Sequence, residues 1–162
     1  MHGVDENPYI ELCFRPTIAT INEARRLVAA IYQPLLGDAD AAGRVALTTH
    51  ELLENALKYS VDGSTVIRVE VSRCHPGNVK IETRNEISPE RKAGLEEAFE
   101  EMQRAASAEA FYQFAMQRTR TLRHGSGLGL ARIWAEGEMQ ISRSYIGDEV
   151  RITAVATLPE VK

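Results

Sequence analysis

The spacing of apolar residues in the first sixty positions predicts one strand followed by two helices. Tyr9–Phe14 alternates apolar with polar residues and ends before Pro16, which is typical of a short strand. Thr17–Leu36 has apolar residues at helical spacing and a threonine available as a cap. After a break at Gly37, a second helix beginning at Asp38 or Asp40 is expected to run to about Ser60.

The second part of the chain predicts two hairpins separated by helices. Strand patterns occur in Thr65–Ser72 and Asn78–Arg84, joined by a turn of typical composition, and again in Met139–Tyr145 and Glu149–Leu158. Glu90–Arg123 is acidic at first and basic at its end, and one or two helices would fit it. A further short helix follows a glycine-rich segment. The predicted order is therefore β, α, α, β, β, α, α, β, β.

This order of elements predicts the fold class. Consecutive strands joined by tight turns must be antiparallel, so we expect a mixed, mainly antiparallel sheet covered on one face by helices. The architecture is then a two-layer α/β sandwich and not a doubly wound parallel fold. At 162 residues the chain fits a single domain with one core, spanning residues 1–162.

Charge and composition exclude several classes of protein. A net charge of −4 argues against a surface that binds nucleic-acid phosphates. We expect no membrane association and a cytoplasmic location, because no apolar run suits a membrane span and the N-terminal segment does not resemble a signal peptide. Cys13 and Cys74 lack the spacing of a zinc site or redox dithiol, and we expect each to pack in or beside a strand as a small apolar side chain.

The second helix carries a row of polar residues with possible chemistry. Glu51, Asn55 and Lys58 are spaced so that they project from one helix face. An amide oxygen suits Mg²⁺, an ammonium suits phosphate, and a carboxylate can act as a base. The alternative is an ordinary solvated face, where such spacings occur by chance. A zinc-protease HExxH motif is disfavoured because Glu54 replaces the second histidine.

Alternating glycines precede the last predicted helix. Gly125, Gly127 and Gly129 would allow backbone N–H groups to approach an anion at a helix N-terminus. The segment is not a Rossmann fingerprint, because Leu130 stands where the last glycine should be, and it is not a Walker loop. The alternative is a flexible turn between two helices. Three alternating glycines favour a phosphate-binding loop.

Together these two segments resemble the GHKL superfamily of Bergerat-fold ATPases and kinases. Glu51–Lys58 is similar to that family's N-box, and Gly125–Leu130 is similar to its second glycine box. The resemblance covers roughly residues 10 to 158 and agrees with the order of elements. Within the superfamily the chain most resembles the small anti-sigma-factor serine kinases and the SiaB-like switch kinases.

The resemblance implies a function for each matched position, with ATP and Mg²⁺ as cofactors. Glu51 corresponds to the general base, Asn55 to the Mg²⁺ ligand, and Lys58 to a phosphate contact. The loop that wraps the phosphates corresponds to Gly125, Ser126, Gly127, Leu128 and Gly129.

The first glycine box of the family is altered in this chain. The family pattern Asp-x-Gly-x-Gly has Asn85 in place of the aspartate that reads the adenine amine, and Ile87 in place of the first glycine. Asn85 can still accept a hydrogen bond through its side-chain oxygen, without the charge that strengthens it. The β-branched Ile87 disfavours a positive φ and a close backbone approach. Either adenine is held differently, or ATP binding has weakened or been lost.

Three functions remain open from the sequence. The resemblance implies an ATP- and Mg-dependent serine/threonine protein kinase acting on a small STAS-type antagonist, or on a sigma-factor-like or response-regulator-like partner. The altered glycine box favours instead a pseudo-kinase that binds proteins without nucleotide. The third is a histidine-kinase catalytic domain acting with a separate phosphoacceptor protein. A homodimer through the exposed face of the sheet is also expected.

Overall fold

A computed structural model describes residues 7–74, 76–121 and 127–159. These residues form five strands, which are β1 (Tyr9–Phe14), β2 (Thr65–Ser72), β3 (Asn78–Glu86), β4 (Gln140–Ile146) and β5 (Glu149–Thr157). They also form five helices, which are α1 (Ile18–Leu36), α2 (Ala39–Tyr59), α3 (Pro89–Arg104), α4 (Ala108–Thr121) and α5 (Leu128–Ala135). No helix among the described residues combines the length and the apolar character needed to cross a membrane.

The strands form one sheet in the order β1-β2-β3-β5-β4, and helices cover one of its faces. Every neighbouring pair of described strands is antiparallel, so the sheet is not mixed. Val69, Ile81 and Ala154 lie opposite one another on successive strands and are buried beneath the helices. Buried and more exposed residues alternate along β2 and β3 because helices cover one face of the sheet and solvent contacts the other. The predicted two-layer α/β sandwich is confirmed.

Capping residues determine where helix α1 begins and ends and where helix α2 begins. Thr17 caps α1, with its hydroxyl accepting from the backbone N–H of Thr20 at 3.2 Å. Gly37 ends α1 in the left-handed conformation with φ of 66°, which favours glycine. Asp38 then caps α2 by accepting from the N–H groups of the first turn. Helices α1 and α2 pack against each other.

The stretch that begins acidic and ends basic is divided between two helices. Ser88 caps α3 through the N–H of Arg91, and α3 ends at Arg104. Ser107 accepts from the N–H of Ala110 at 3.1 Å as α4 begins. The described residues thus form three helices between the hairpins, whereas the sequence pattern allowed two or three.

Helix α2 lies at the centre of the helical layer, against α1, α5 and the sheet. Leu52 and Leu53 are completely buried, so each contributes roughly 1.5–3 kcal/mol of hydrophobic stabilisation. The position of α2 brings its polar row to the junction with α5. One sequence expectation is wrong: Cys13 and Cys74 are exposed, because Cys13 lies on the solvent side of edge strand β1 and Cys74 follows the end of β2.

Candidate functional site

Glu51, Asn55 and Lys58 of α2 line a single cavity, as their spacing predicts. The cavity has a volume of about 500 Å³ and opens between α2 and the start of α5. The three side chains differ in exposure along the helix. The Glu51 side chain is only 4% exposed, Asn55 is half-buried and Lys58 is exposed. The row is therefore not an ordinary solvated face, since its carboxylate is removed from water.

The glycine loop meets this row at the N-terminus of α5. Gly127 has φ of 69°, which favours glycine, and its carbonyl accepts from the N–H of Ala131 as the helix begins. A Cβ atom at Gly129 would lie 3.2 Å from Glu51 Oε2 and 3.3 Å from Asn55 Oδ1. Helix α5 can approach these two side chains this closely because Gly129 has no side chain.

The cavity contains both predicted and additional residues. Gly127, Leu128 and Gly129 line it, whereas the predicted Gly125 and Ser126 lie outside the described residues. The remaining lining residues are Ile18, Glu54, Leu57, Tyr59, Leu130 and Arg132. Segments separated by about seventy residues in sequence thus form one concave surface, with carboxylate, amide, ammonium and guanidinium groups among the glycines.

Arg132 of α5 forms an ion pair with Glu51, with Nη1 donating to Oε1. Burial is the largest influence on this carboxyl and raises the pKa of Glu51 to about 7 from 4.5, although Arg132 acts to lower it. One arginine does not fully compensate for removal of the carboxylate from water. Glu51 therefore titrates near neutrality, where a general base is most effective.

Asn55 has an unsatisfied polar atom at the wall of the cavity. Its Nδ2 is buried and has no hydrogen-bond partner among the described residues, and its Oδ1 faces Gly129. A buried unpaired amide costs about 1–3 kcal/mol, which a bound ligand can offset. Amide and carboxylate oxygens are the hard donors that Mg²⁺ prefers, and a chain of phosphates would supply acceptors for the amide nitrogen. The residues present fit a magnesium–nucleotide complex.

Lys58 lies at the mouth of the cavity beside a second cation. Its ammonium is 4.9 Å from the centre of the Tyr59 ring. Partial desolvation, followed by repulsion from Arg118 of α4, lowers the pKa of Lys58. Arg118 itself pairs with the carboxylate of Glu101 at 2.5 Å. An anion at this position would relieve the repulsion between the two cations.

Asn85 and Ile87, at the altered glycine box, lie apart from the cavity lining. Asn85 is buried near the end of β3 and its Nδ2 donates to the carbonyl of Glu86 at 3.1 Å. Ile87 is 4% exposed, forms a bridge with Ser60 after α2, and donates its N–H to the carbonyl of Asp148. Both side chains are thus incorporated into the packing between α2 and the sheet.

His50 and Glu54 form a polar cluster with Glu51 on the same helix. His50 Nε2 lies 3.1 Å from Glu54 Oε1, and ligand atoms of the three residues lie within 4.8 Å of one another. The pairing of Glu51 with Arg132 already satisfies one oxygen of the cluster with a cation. This arrangement disfavours the zinc chemistry of an HExxH motif.

Arg132 is the charged residue of the cavity lining that forms an ion pair with Glu51, and it was not singled out from the sequence. It lies three positions after Gly129 on α5, so a helical projection places it on the same face as the glycine that meets Glu51. That spacing was the available signal. Its significance depends on the packing of α5 against α2, which the local pattern does not contain.

Comparisons with known proteins give a likeness of fold. No family model matches the chain, and no curated protein matches its sequence. Among solved structures, it is similar to a chain of the SiaB–SiaC complex from Pseudomonas aeruginosa, with a TM-score of 0.59 and 18% sequence identity. The match covers 90% of this chain and 88% of that one. At this identity the likeness establishes a shared fold across nearly the full length of both chains.

Proposed function

We propose that the protein is an ATP- and Mg-dependent serine/threonine kinase that acts on a small regulatory protein partner of STAS type. The observation that carries this proposal is the meeting of Glu51 and Asn55 with Gly129 in one cavity. Two segments that separately have ordinary explanations are brought within a few ångströms of each other. A carboxylate, an amide oxygen of the kind that can bind Mg²⁺ and a glycine-rich helix N-terminus are groups that enzymes of phosphoryl transfer use.

In this proposal, different residues of the cavity bind different parts of Mg-ATP. The amide of Asn55 would hold Mg²⁺, Lys58 would meet phosphate charge, and the backbone from Gly127 to Gly129 would face the phosphate chain. Bound Mg-ATP would supply the phosphoryl group, with the metal neutralising its charge. The net negative charge of the protein makes this local concentration of cations and amides necessary for an anionic ligand.

Glu51 has the position and basicity of the group that activates the partner's hydroxyl. One carboxylate oxygen is held by Arg132 and the other faces Gly129 at the cavity wall. That second oxygen would accept the proton of a serine or threonine hydroxyl. With a pKa of about 7, Glu51 is substantially ionised at neutral pH and yet binds a proton more readily than an ordinary carboxylate.

A protein partner is favoured by the surroundings of the cavity and by the likeness of fold. Ile18 and Leu57, both exposed, lie among the residues that line it. Contiguous apolar surface marks contact sites between proteins, and these two side chains would contribute to such a contact beside the cavity. The similar fold occurs in a complex of two proteins, SiaB and SiaC. We therefore propose a regulatory role in signalling, in which partner binding brings a hydroxyl to Glu51.

The second candidate is a protein-binding module that has lost nucleotide. The burial of Ile87 and the hydrogen bond of Asn85 to the backbone of Glu86 favour it, since neither residue lines the cavity. A nucleotide whose base depended on these positions would have to displace packed side chains. Among the described residues, Glu51, Asn55, Lys58 and the glycines at the start of α5 border open space in the cavity, and for that reason the kinase is the first proposal.

Thermal unfolding with Mg-ATP tests the kinase proposal. A ligand at about 100 times its dissociation constant adds roughly 2.7 kcal/mol to the free energy of unfolding, so the melting temperature should rise. Asn55→Ala should abolish this rise, whereas Asn78→Ala, at the opposite end of β3 from the altered box, should retain it. No rise in the unmodified protein, together with a rise in the Asn85→Asp, Ile87→Gly double variant, would support the binding module instead.

Phosphotransfer separates binding from catalysis. With labelled ATP and a STAS-type partner, Glu51→Ala should keep the nucleotide-dependent rise in melting temperature and reduce transfer by about 10²–10⁴-fold. Glu100→Ala alters an exposed carboxylate of α3 and should transfer at the original rate. Equal transfer by the Glu51 variant and the unmodified protein would remove Glu51 from the proposed mechanism.

A further inference from the structure

Arg132 lies between two carboxylates on different elements. Its Nη1 donates to Oε1 of Glu51 on α2, and its Nη2 is 3.5 Å from Oε2 of Glu136 at the end of α5. The Arg132 side chain is 34% exposed and that of Glu136 is 41% exposed, whereas that of Glu51 is 4% exposed. The guanidinium is therefore anchored on its solvent side while it reaches inward to the buried carboxylate.

The two oxygens of Glu51 have different surroundings as a result. Oε1 is taken by Arg132, and Oε2 lies 3.2 Å from the position that a Cβ of Gly129 would occupy. Because Gly129 lines the cavity, Oε2 is presented at the cavity wall. An arginine bound to one oxygen fixes the rotation of a carboxylate and leaves the other oxygen available as an acceptor.

The charges around Glu51 come from three helices and differ in their effect. Glu54 on the same helix and Glu136 at the end of α5 both disfavour ionisation of Glu51, whereas Arg132 and Arg25 of α1 favour it. His50 pairs with Glu54 and Lys58 lies farther along the cavity. Of these cations, Arg132 forms the direct hydrogen bond to Glu51.

We propose that Arg132 is a positioning residue of this site, holding Glu51 ionised with Oε2 turned to the cavity. Without this contact, a carboxyl with so little exposure and two neighbouring carboxylates would keep its proton at neutral pH and could not accept another. Lysine at this position would conserve the charge but not the two-pronged contact with Glu51 and Glu136. The catalytic meaning of the contact rests on the proposed function, whereas the contact itself does not.

The pKa of Glu51 in the ligand-free protein tests this role directly. It is measured from the carboxyl ¹³C chemical shift of glutamate-labelled protein, with the signal assigned by Glu51→Gln. Arg132→Gln should raise the pKa of Glu51 from about 7 by about one pH unit or more, which lowers the ionised fraction at pH 7 from about one half to about one tenth or less. Arg132→Lys should recover most of the original value. Arg104→Gln, which removes an exposed arginine paired with Glu100 on α3, should leave it unchanged.

Glu136→Gln is a second variant that removes an exposed charge and leaves Arg132 in place. It should lower the pKa of Glu51, because Glu136 disfavours ionisation of Glu51 and shares its arginine. An unchanged pKa in Arg132→Gln, an equal rise in Arg132→Lys, or a rise in Glu136→Gln would each overturn the proposal.

The rate of phosphotransfer against pH connects the contact to the reaction. If the protein is a kinase, the acid limb of the profile should move to higher pH in Arg132→Gln by the same amount as the pKa of Glu51, and return in Arg132→Lys. An acid limb that stays in place while the pKa moves would overturn the positioning role. Absence of any transfer by the unmodified protein would refute the proposed function, with the carboxyl titration still deciding whether Arg132 holds Glu51.

Discussion

Two carboxylate–guanidinium pairs join helices to neighbouring elements, and the pKa values of their carboxyls move in opposite directions. Glu96 of α3 accepts two hydrogen bonds from Arg143 of β4, at 3.0 and 2.7 Å, and a third from the hydroxyl of Tyr145. Glu51 of α2 accepts from Arg132 through a single oxygen. The pKa of Glu96 falls to about 2, while that of Glu51 rises to about 7.

The difference arises from burial and from the number of donors. The Glu96 side chain is 31% exposed, and its hydrogen bonds from Arg143 are the largest influence and favour the ionised form. The Glu51 side chain is 4% exposed, and desolvation is the largest influence and favours the protonated form. The same two residue types thus form an ionised pair between α3 and β4 in one place, and in the other a pair whose carboxyl binds a proton near neutral pH. The presence of an ion pair therefore does not by itself indicate whether the pKa of its carboxyl is lowered or raised.

The largest expected effect is the pH dependence of stability that comes from Glu51. Its folded-state pKa lies above the unfolded value, so its contribution is fully present below pH 4.5 and is lost as pH rises to about 7. Compared with Glu51→Gln, the free energy of unfolding of the unmodified protein should fall by on the order of 3 kcal/mol across this range. Urea unfolding of both proteins at a series of pH values measures it. A constant difference between them would show that Glu51 titrates like an exposed carboxyl.

Glu96 should give a smaller effect of opposite sign. Its folded-state pKa is depressed, so its contribution is present above pH 4.5 and is lost as pH falls towards about 2. Because the side chain is partly exposed and screened by solvent, we expect about 1–2 kcal/mol instead of the full value. Unfolding of Glu96→Gln and the unmodified protein, compared in the acid range, should converge as pH falls. Divergence on acidification would contradict the comparison between the two pairs.

Removal of one donor should move Glu96 towards the behaviour of Glu51. Tyr145→Phe deletes the hydroxyl that donates to Glu96 and leaves both contacts from Arg143 in place. The pKa of Glu96 should rise, and the free energy of unfolding at neutral pH should fall by about 1 kcal/mol. Carboxyl ¹³C titration and urea unfolding give the two values. An unchanged pKa would mean that Arg143 alone accounts for the depression.

How much of this contrast can be read from the sequence depends on how far apart the partners lie. The spacing of Glu51, Asn55 and Lys58 on one helix is local, and it predicted that they share a face. The hairpins likewise followed from alternation and turn composition, and they determined the antiparallel sheet. These features depend on residues within one element or in consecutive elements.

The long-range contacts could not be predicted in the same way. Glu96 and Arg143 are 47 residues apart, and Glu51 and Arg132 are 81 apart, so each pairing depends on how whole elements pack. The degree of burial that raises the pKa of Glu51 also depends on the approach of α5. The predicted role of Asn85 in binding adenine stays a prediction, with its side chain placed at the end of β3 apart from the cavity lining.

Gly129→Ala should have the smallest effect on stability. It changes the close approach of α5 to Glu51, which distinguishes the Glu51–Arg132 pair from the Glu96–Arg143 pair. Alanine normally stabilises a helix relative to glycine, and Gly94→Ala in α3, with no atom within 4 Å of the new Cβ, should raise the free energy of unfolding by about 0.5–1 kcal/mol. At Gly129 the Cβ would press on Glu51 Oε2 and Asn55 Oδ1 at 3.2 and 3.3 Å. Because Arg132 holds Glu51 from the other side, the carboxylate cannot withdraw freely. The gain should therefore disappear or become a loss of less than about 1 kcal/mol, with the pKa of Glu51 altered. Equal stabilisation in both alanine variants would mean that α5 can move away from α2, and that the close approach of Gly129 does not maintain the burial of Glu51.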